Sequence, residues 1–235
     1  MNSIDIIPQY LKKGIWGTKG HLLGTHILSP DGRLALLTIP KNASSYWKTW
    51  LIDEFNWRLI SEPPATSIEK VIVPLRDPVE RWLSGISEYL LLYSDERIVP
   101  MDETIMQRVL SGYQKNDWVP FPRALLLNML QDGVVFDDHT EKQSYFYNCL
   151  DTDKVVYFKS ENPHLIWKYI EEQGYERPDQ GADIPINWTD DPNDPDGERR
   201  RFWKTYIVEQ QLDLSLVKRY YEYWDSKTYE ILNGL

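Results

Sequence analysis

The sequence predicts an α/β domain in which a central, mostly parallel sheet is flanked by helices. Three observations carry that expectation. The apolar run Arg33 to Ile39 is strand-sized and passes directly into a turn and a helical pattern. The run Val71 to Leu75 does the same. A third run, Val155 to Phe158, is followed by a helix-like segment from Pro163 to Gln173. Repeated strand-then-helix units of this kind favour parallel pairing, with both sheet faces covered.

The elements follow in order. His21 to Leu28 and Arg33 to Ile39 flank Ser29-Pro30-Asp31-Gly32, whose Pro-Asp-Gly predicts the turn of a hairpin. Ser44 to Phe55 carries Trp47, Trp50, Leu51 and Phe55 at helical spacing. Trp57 to Ile60 is a short strand ending at Ser61-Glu62-Pro63-Pro64. Pro78 sits at the first position of a helix reaching about Tyr93, where a missing N–H costs nothing. Met101 to Ser111, Arg123 to Gln131 and Glu141 to Leu150 read as helical, and Arg199 to Leu232 as one or two amphipathic helices. Residues 177–197, rich in proline and aspartate, read as a loop, and residues 1–20 as a peripheral lead-in. The expectation is a single domain over 1–235.

Charge narrows the function classes. With 26 Lys and Arg against 36 Asp and Glu, the net charge is −10, which argues against nonspecific nucleic-acid binding. Any anion site must then be a local basic pocket. The one cysteine, Cys149, excludes an intramolecular disulfide and fits a reducing compartment. No secretory leader and no apolar run of about 20 residues is seen, so a soluble, cytoplasmic protein without a membrane partner is expected. Aromatic residues make up 13%, enough for a ring-stacking or carbohydrate surface besides the core.

Two motifs carry the chemistry. In Pro40-Lys41-Asn42-Ala43-Ser44-Ser45-Tyr46-Trp47-Lys48, small residues let backbone N–H groups approach an anion at a helix start. The hydroxyls of Ser44 and Ser45 add donors and Lys41 adds charge. This is not the glycine-rich G-x-x-x-x-G-K-[ST] loop, because it has no glycine and its lysine precedes the turn. In the second motif, Arg76-Asp77-Pro78-Val79-Glu80-Arg81-Trp82-Leu83-Ser84, Arg76 ends a strand and Ser84 lies eight residues on in the helix. Two such grips suggest a ligand with two separate phosphate groups.

The first motif resembles the 5′-phosphosulfate loop of sulfotransferases, and is most similar to the pattern of the carbohydrate sulfotransferases. The second resembles their 3′-phosphate motif, Arg-to-Ser spacing included. His139-x3-Gln143 and Val155 to Asn162 are a looser echo, so the resemblance spans roughly residues 33–232. It implies a P-loop-like three-layer sandwich and the cofactor 3′-phosphoadenosine 5′-phosphosulfate (PAPS; its product is adenosine 3′,5′-bisphosphate, PAP). It implies transfer of a sulfuryl group to a hydroxyl acceptor, a carbohydrate or small alcohol, without a metal. Lys41 would contact the bridging and 5′-phosphate oxygens, and Asn42, Ala43, Ser44, Ser45 and Tyr46 would form the cradle. Arg76 and Ser84 would hold the 3′-phosphate. For the general base two residues stay open: Glu62, at the end of the strand between the motifs, and His139, whose imidazole suits neutral pH.

Other features point to less. Gly14, Gly17, Gly20 and Gly24 precede a strand instead of following one, so they are a lead-in and not a nucleotide loop. His21, His26 and a lone cysteine do not make a zinc set. Arg81 either assists Arg76 or pairs with Glu80 or Asp77. The rival classes are a P-loop kinase or nucleotide hydrolase, and a non-catalytic nucleotide-binding protein.

Overall fold

The computed structural model describes residues 25–60, 67–94, 134–135, 138–148, 150–178 and 214–235. The expected helices at 101–111 and 123–131 and the loop after 178 lie outside these residues, as does Glu62. The expected hairpin is present. Strands β1 (Thr25–Leu28) and β2 (Leu34–Thr38) pair antiparallel, Thr25 opposite Thr38 and Leu28 opposite Ala35. The turn between them is closed by Asp31, whose Oδ1 accepts from Ser29 Oγ at 2.8 Å and from Arg33 N at 3.1 Å. Gly32 takes φ +77, a left-handed conformation that a side chain disfavours.

After β2 the chain enters α1 (Ser44–Trp47), which widens into a π-helical stretch over Lys48–Glu54. It returns as β3 (Arg58–Ile60) on the outer edge of β1. Strand β4 (Lys70–Leu75) then pairs parallel with β2, and β5 (Val155–Lys159) parallel with β4. The sheet order is β3-β1-β2-β4-β5. The sheet is mixed: β1 pairs antiparallel on both sides, so β2, β3, β4 and β5 all point one way and β1 alone runs against them. The expected mostly parallel sheet is met in part, since two of the four pairings are parallel and two antiparallel. The hairpin interrupts it, because a tight turn reverses the chain.

Helices cover both faces, and the two-residue period of a strand explains why every residue of β2 is buried. Leu34 and Leu36, with Ile27 and Ile72, pack against Tyr46, Trp47 and Leu51 of α1 and its extension. The same core takes Ile166, Trp167 and Ile170 of the later helix Pro163–Glu172. Ala35, Leu37 and Ile39, with Val71, Val73 and Leu75, face a second core with Phe146 and Tyr147. Ile231 and Leu232 of the last helix pack on it. Helix α2 (Pro78–Ser94) begins as expected, with Asp77 Oδ1 accepting from the amides of Val79 (2.9 Å) and Glu80 (3.0 Å). The helix expected over 141–150 is a single turn, α3 (Ser144–Tyr147). Then come α4 (Pro163–Glu172), α5 (Ser215–Trp224) and α6 (Ser226–Gly234). Among the described residues no helix is long and apolar enough to cross a membrane.

Candidate anion-binding site

Four strands pointing one way place four C-terminal ends on one edge of the sheet, where open α/β folds bind ligands. The two motifs lie there side by side, because β2 and β4 are adjacent and parallel. Behind β2 the backbone departs from ordinary geometry: Lys41 has φ +69 and Ala43 φ +60. Non-glycine residues in this region cost about 1 kcal/mol each. The loop tolerates that because it is held from several directions. Asn42 N donates to Ile39 O (3.1 Å), and its buried side chain donates to Pro74 O (2.9 Å) and Gln143 Oε1 (2.6 Å). Asn42 therefore shapes the loop, and its donors are committed to protein acceptors.

Gln143 joins the motifs. Its Oε1 also accepts from Arg76 N (3.0 Å), and its Nε2 donates to Arg76 O (2.7 Å). Arg76 Nη1 reaches Lys41 O at 3.4 Å, so residues 35 apart in sequence touch. The guanidinium is partly exposed, with Glu80 and Glu161 carboxylates each 4.0 Å away. Lys41 Nζ lies 3.0 Å from Glu88 Oε2. Ser84 sits three residues beyond Arg81 and four before Glu88, on the stripe of α2 that meets this loop.

Arg81 binds the backbone of two segments. It is fully buried, donating through Nε to Pro40 O (2.9 Å), through Nη2 to Asp138 O (2.9 Å) and through Nη1 to Glu141 O. It clamps the first loop to the segment carrying His139. That segment also lies tightly on α2, because a Cβ on Gly85 would come within 2.2 Å of His139 O. His139 Nδ1 is 3.2 Å from Asp138 Oδ1, which orients the ring. Burial alone would raise the Asp138 pKa; the hydrogen bond and charge of His139, with the charge of Arg81, outweigh it and lower the pKa. Behind the segment, Asp225 accepts from the amides of Gln143 and Ser144, both at 2.9 Å, and Tyr221 donates to Thr140 O.

The cradle residues divide by depth. Ser44 and Ser45 lie at the start of α1 and are not buried, whereas the side chains of Tyr46 and Trp47 are core. Tyr46 Oη accepts from Trp167 Nε1 at 2.7 Å, so Tyr46 can offer a ligand only its backbone. Sequence reasoning missed Glu88 and the extent of Gln143's role. The i+4 and i+7 spacing of Ser84 and Glu88 from Glu80 and Arg81 was the available signal for the first. Only the fold reveals the second. Among the described residues no group of three His, Cys, Asp or Glu side chains is placed to hold a metal. No family model matches this chain, and comparison with curated proteins and with solved structures finds no match either.

Proposed function

We propose that this protein is a PAPS-dependent sulfotransferase built on a P-loop-like three-layer sandwich, acting on a hydroxyl acceptor of carbohydrate or small-alcohol type. One observation carries the reading: two cation-bearing loops, each behind a parallel strand, are cross-linked by Arg76 Nη1 to Lys41 O and by Gln143. A nucleoside phosphorylated on both its 3′ and its 5′ oxygen fits such a pair. The partly exposed Lys41 and Arg76 and the serines of α1 are donors of the right kind for it.

When bound, PAPS supplies a sulfuryl group: the acceptor oxygen bonds to sulfur, and the sulfur–oxygen bond to the 5′-phosphate breaks with its electron pair leaving on PAP. Lys41 neutralises charge gathering on the 5′-phosphate, the kind of fixed electrostatic support that dominates such transfers. Ser44, Ser45 and the first-turn amides of α1 hold the same group. Arg76 and Ser84 hold the 3′-phosphate and orient the nucleotide for in-line attack. The acceptor proton passes to a base. His139, oriented by Asp138, is one candidate and Glu62, two residues past the end of β3, is the other.

The test is transfer from radiolabelled PAPS to a panel of sugars and alcohols, with EDTA present. Turnover that survives EDTA and falls at least 100-fold in Lys41→Met supports the reading. Strict dependence on Mg²⁺ and ATP would instead favour a kinase or nucleotide hydrolase. PAP binding without turnover on any acceptor would favour a non-catalytic nucleotide-binding protein.

A further inference from the structure

Lys41 has a protein partner that the motif alone does not reveal. On α2 the residues Arg81, Ser84 and Glu88 recur at helical spacing and form one stripe. Arg81 Nε reaches Pro40 O at 2.9 Å and Glu88 Oε2 meets Lys41 Nζ at 3.0 Å, so the stripe runs along the loop behind β2. Both members of the pair are shielded, with side chains 20% and 12% exposed, and the attraction is therefore screened less than at an open surface. The contact spans 47 positions in sequence and joins the loop to the third turn of the helix. An anion arriving at Lys41 must share the ammonium with this carboxylate and is repelled by it.

We propose that Glu88 is a positioning residue that holds the Lys41 ammonium at the loop and whose negative charge sets how tightly an anionic 5′-group binds there. The proposal rests on the reading that Lys41 takes the 5′-phosphate. Glu88→Gln keeps the shape and an acceptor oxygen and removes the charge. Titration calorimetry of wild type and Glu88→Gln with PAP and with 5′-AMP is the first arm. The expected result is about tenfold tighter binding of both nucleotides in the variant, about 1.4 kcal/mol. The ratio between them should be unchanged, because Arg76 is untouched. Equal or weaker binding in the variant overturns the proposal.

The second arm needs no nucleotide. Reductive methylation with formaldehyde and a borane, read by peptide mass spectrometry, compares Lys41 with Lys48 as internal reference. Loss of the ion pair should make Lys41 react at least threefold faster in Glu88→Gln. Equal rates would mean that the pair does not form in solution, and the proposal fails. A wild type with no preference for PAP over 5′-AMP counts against the sulfotransferase reading alone, and the labelling arm still decides on Glu88.

Discussion

Arg76 and Arg81 stand five positions apart in one motif and do opposite things. Arg81 is buried and donates to three backbone carbonyls, so its removal strands those acceptors in the interior. Arg81→Met should cost roughly 3 kcal/mol or more of unfolding free energy in urea. Arg76→Ala, whose ion-pair contacts are long and partly exposed, should cost less than about 1 kcal/mol. The sequence marks both as cations of one motif and cannot rank them, since burial decides. His26 is a second residue-scale case. It is buried on β1, neither ring nitrogen has a hydrogen-bond partner, and burial lowers its pKa from 6.5 to about 4. The folded state thus favours the neutral ring. Its contribution is fully present above pH 6.5 and is lost as pH falls toward 4, by about 3 kcal/mol in all. The stability difference between wild type and His26→Leu should therefore shift by about 3 kcal/mol between pH 6.5 and 4, wild type losing more. Parallel curves would contradict this.

At the scale of elements, the strands and the starts of α1 and α2 were legible because local chemistry fixes them. Apolar runs, Pro-Asp-Gly at the hairpin and Asp77-Pro78 at a helix start act over a few residues. The single turn of α3 was not legible, because the segment before it gives its backbone groups to distant partners. Arg81, Asp225 and Tyr221 bind residues 140–144 from α2 and the C-terminal helices. Those bonds replace the local ladder that the pattern Glu141 to Leu150 suggests. Gln143 is where this matters most, since it joins the loops behind β2 and β4. Gln143→Leu should lower stability by about 2–3 kcal/mol and weaken PAP and 5′-AMP alike, as both loops lose their shared anchor. Gln143→Glu sets a carboxylate oxygen against Arg76 O in a buried site and should cost at least as much. Loss of the PAP preference alone would instead place Gln143 at the 3′-phosphate.

For the whole molecule, the sheet explains why motifs far apart in sequence meet. Strands β2 and β4 are parallel neighbours, so whatever follows each emerges on the same edge. Strand β5 adds Glu161 beside Arg76, and β3 ends at Ile60 on that edge too. The order of the two motifs and their strand-then-helix context were readable from sequence. The insertion of β1 between β2 and β3 was not, since local pattern does not specify which strand takes which neighbour. An acidic chain, net charge −10, thus gathers Lys41 and Arg76 at one edge, with Glu80, Glu88 and Glu161 close to them. Such a site should select a nucleotide with separate 3′- and 5′-phosphates over a long polyanion.

The most direct measurement is the affinity of wild type and Arg76→Ala for PAP and for 5′-AMP by titration calorimetry. Wild type should bind PAP at least tenfold more tightly than 5′-AMP, and Arg76→Ala should lose this preference while remaining folded. Equal binding of the two nucleotides by wild type would contradict the central claim and leave the second motif a structural one.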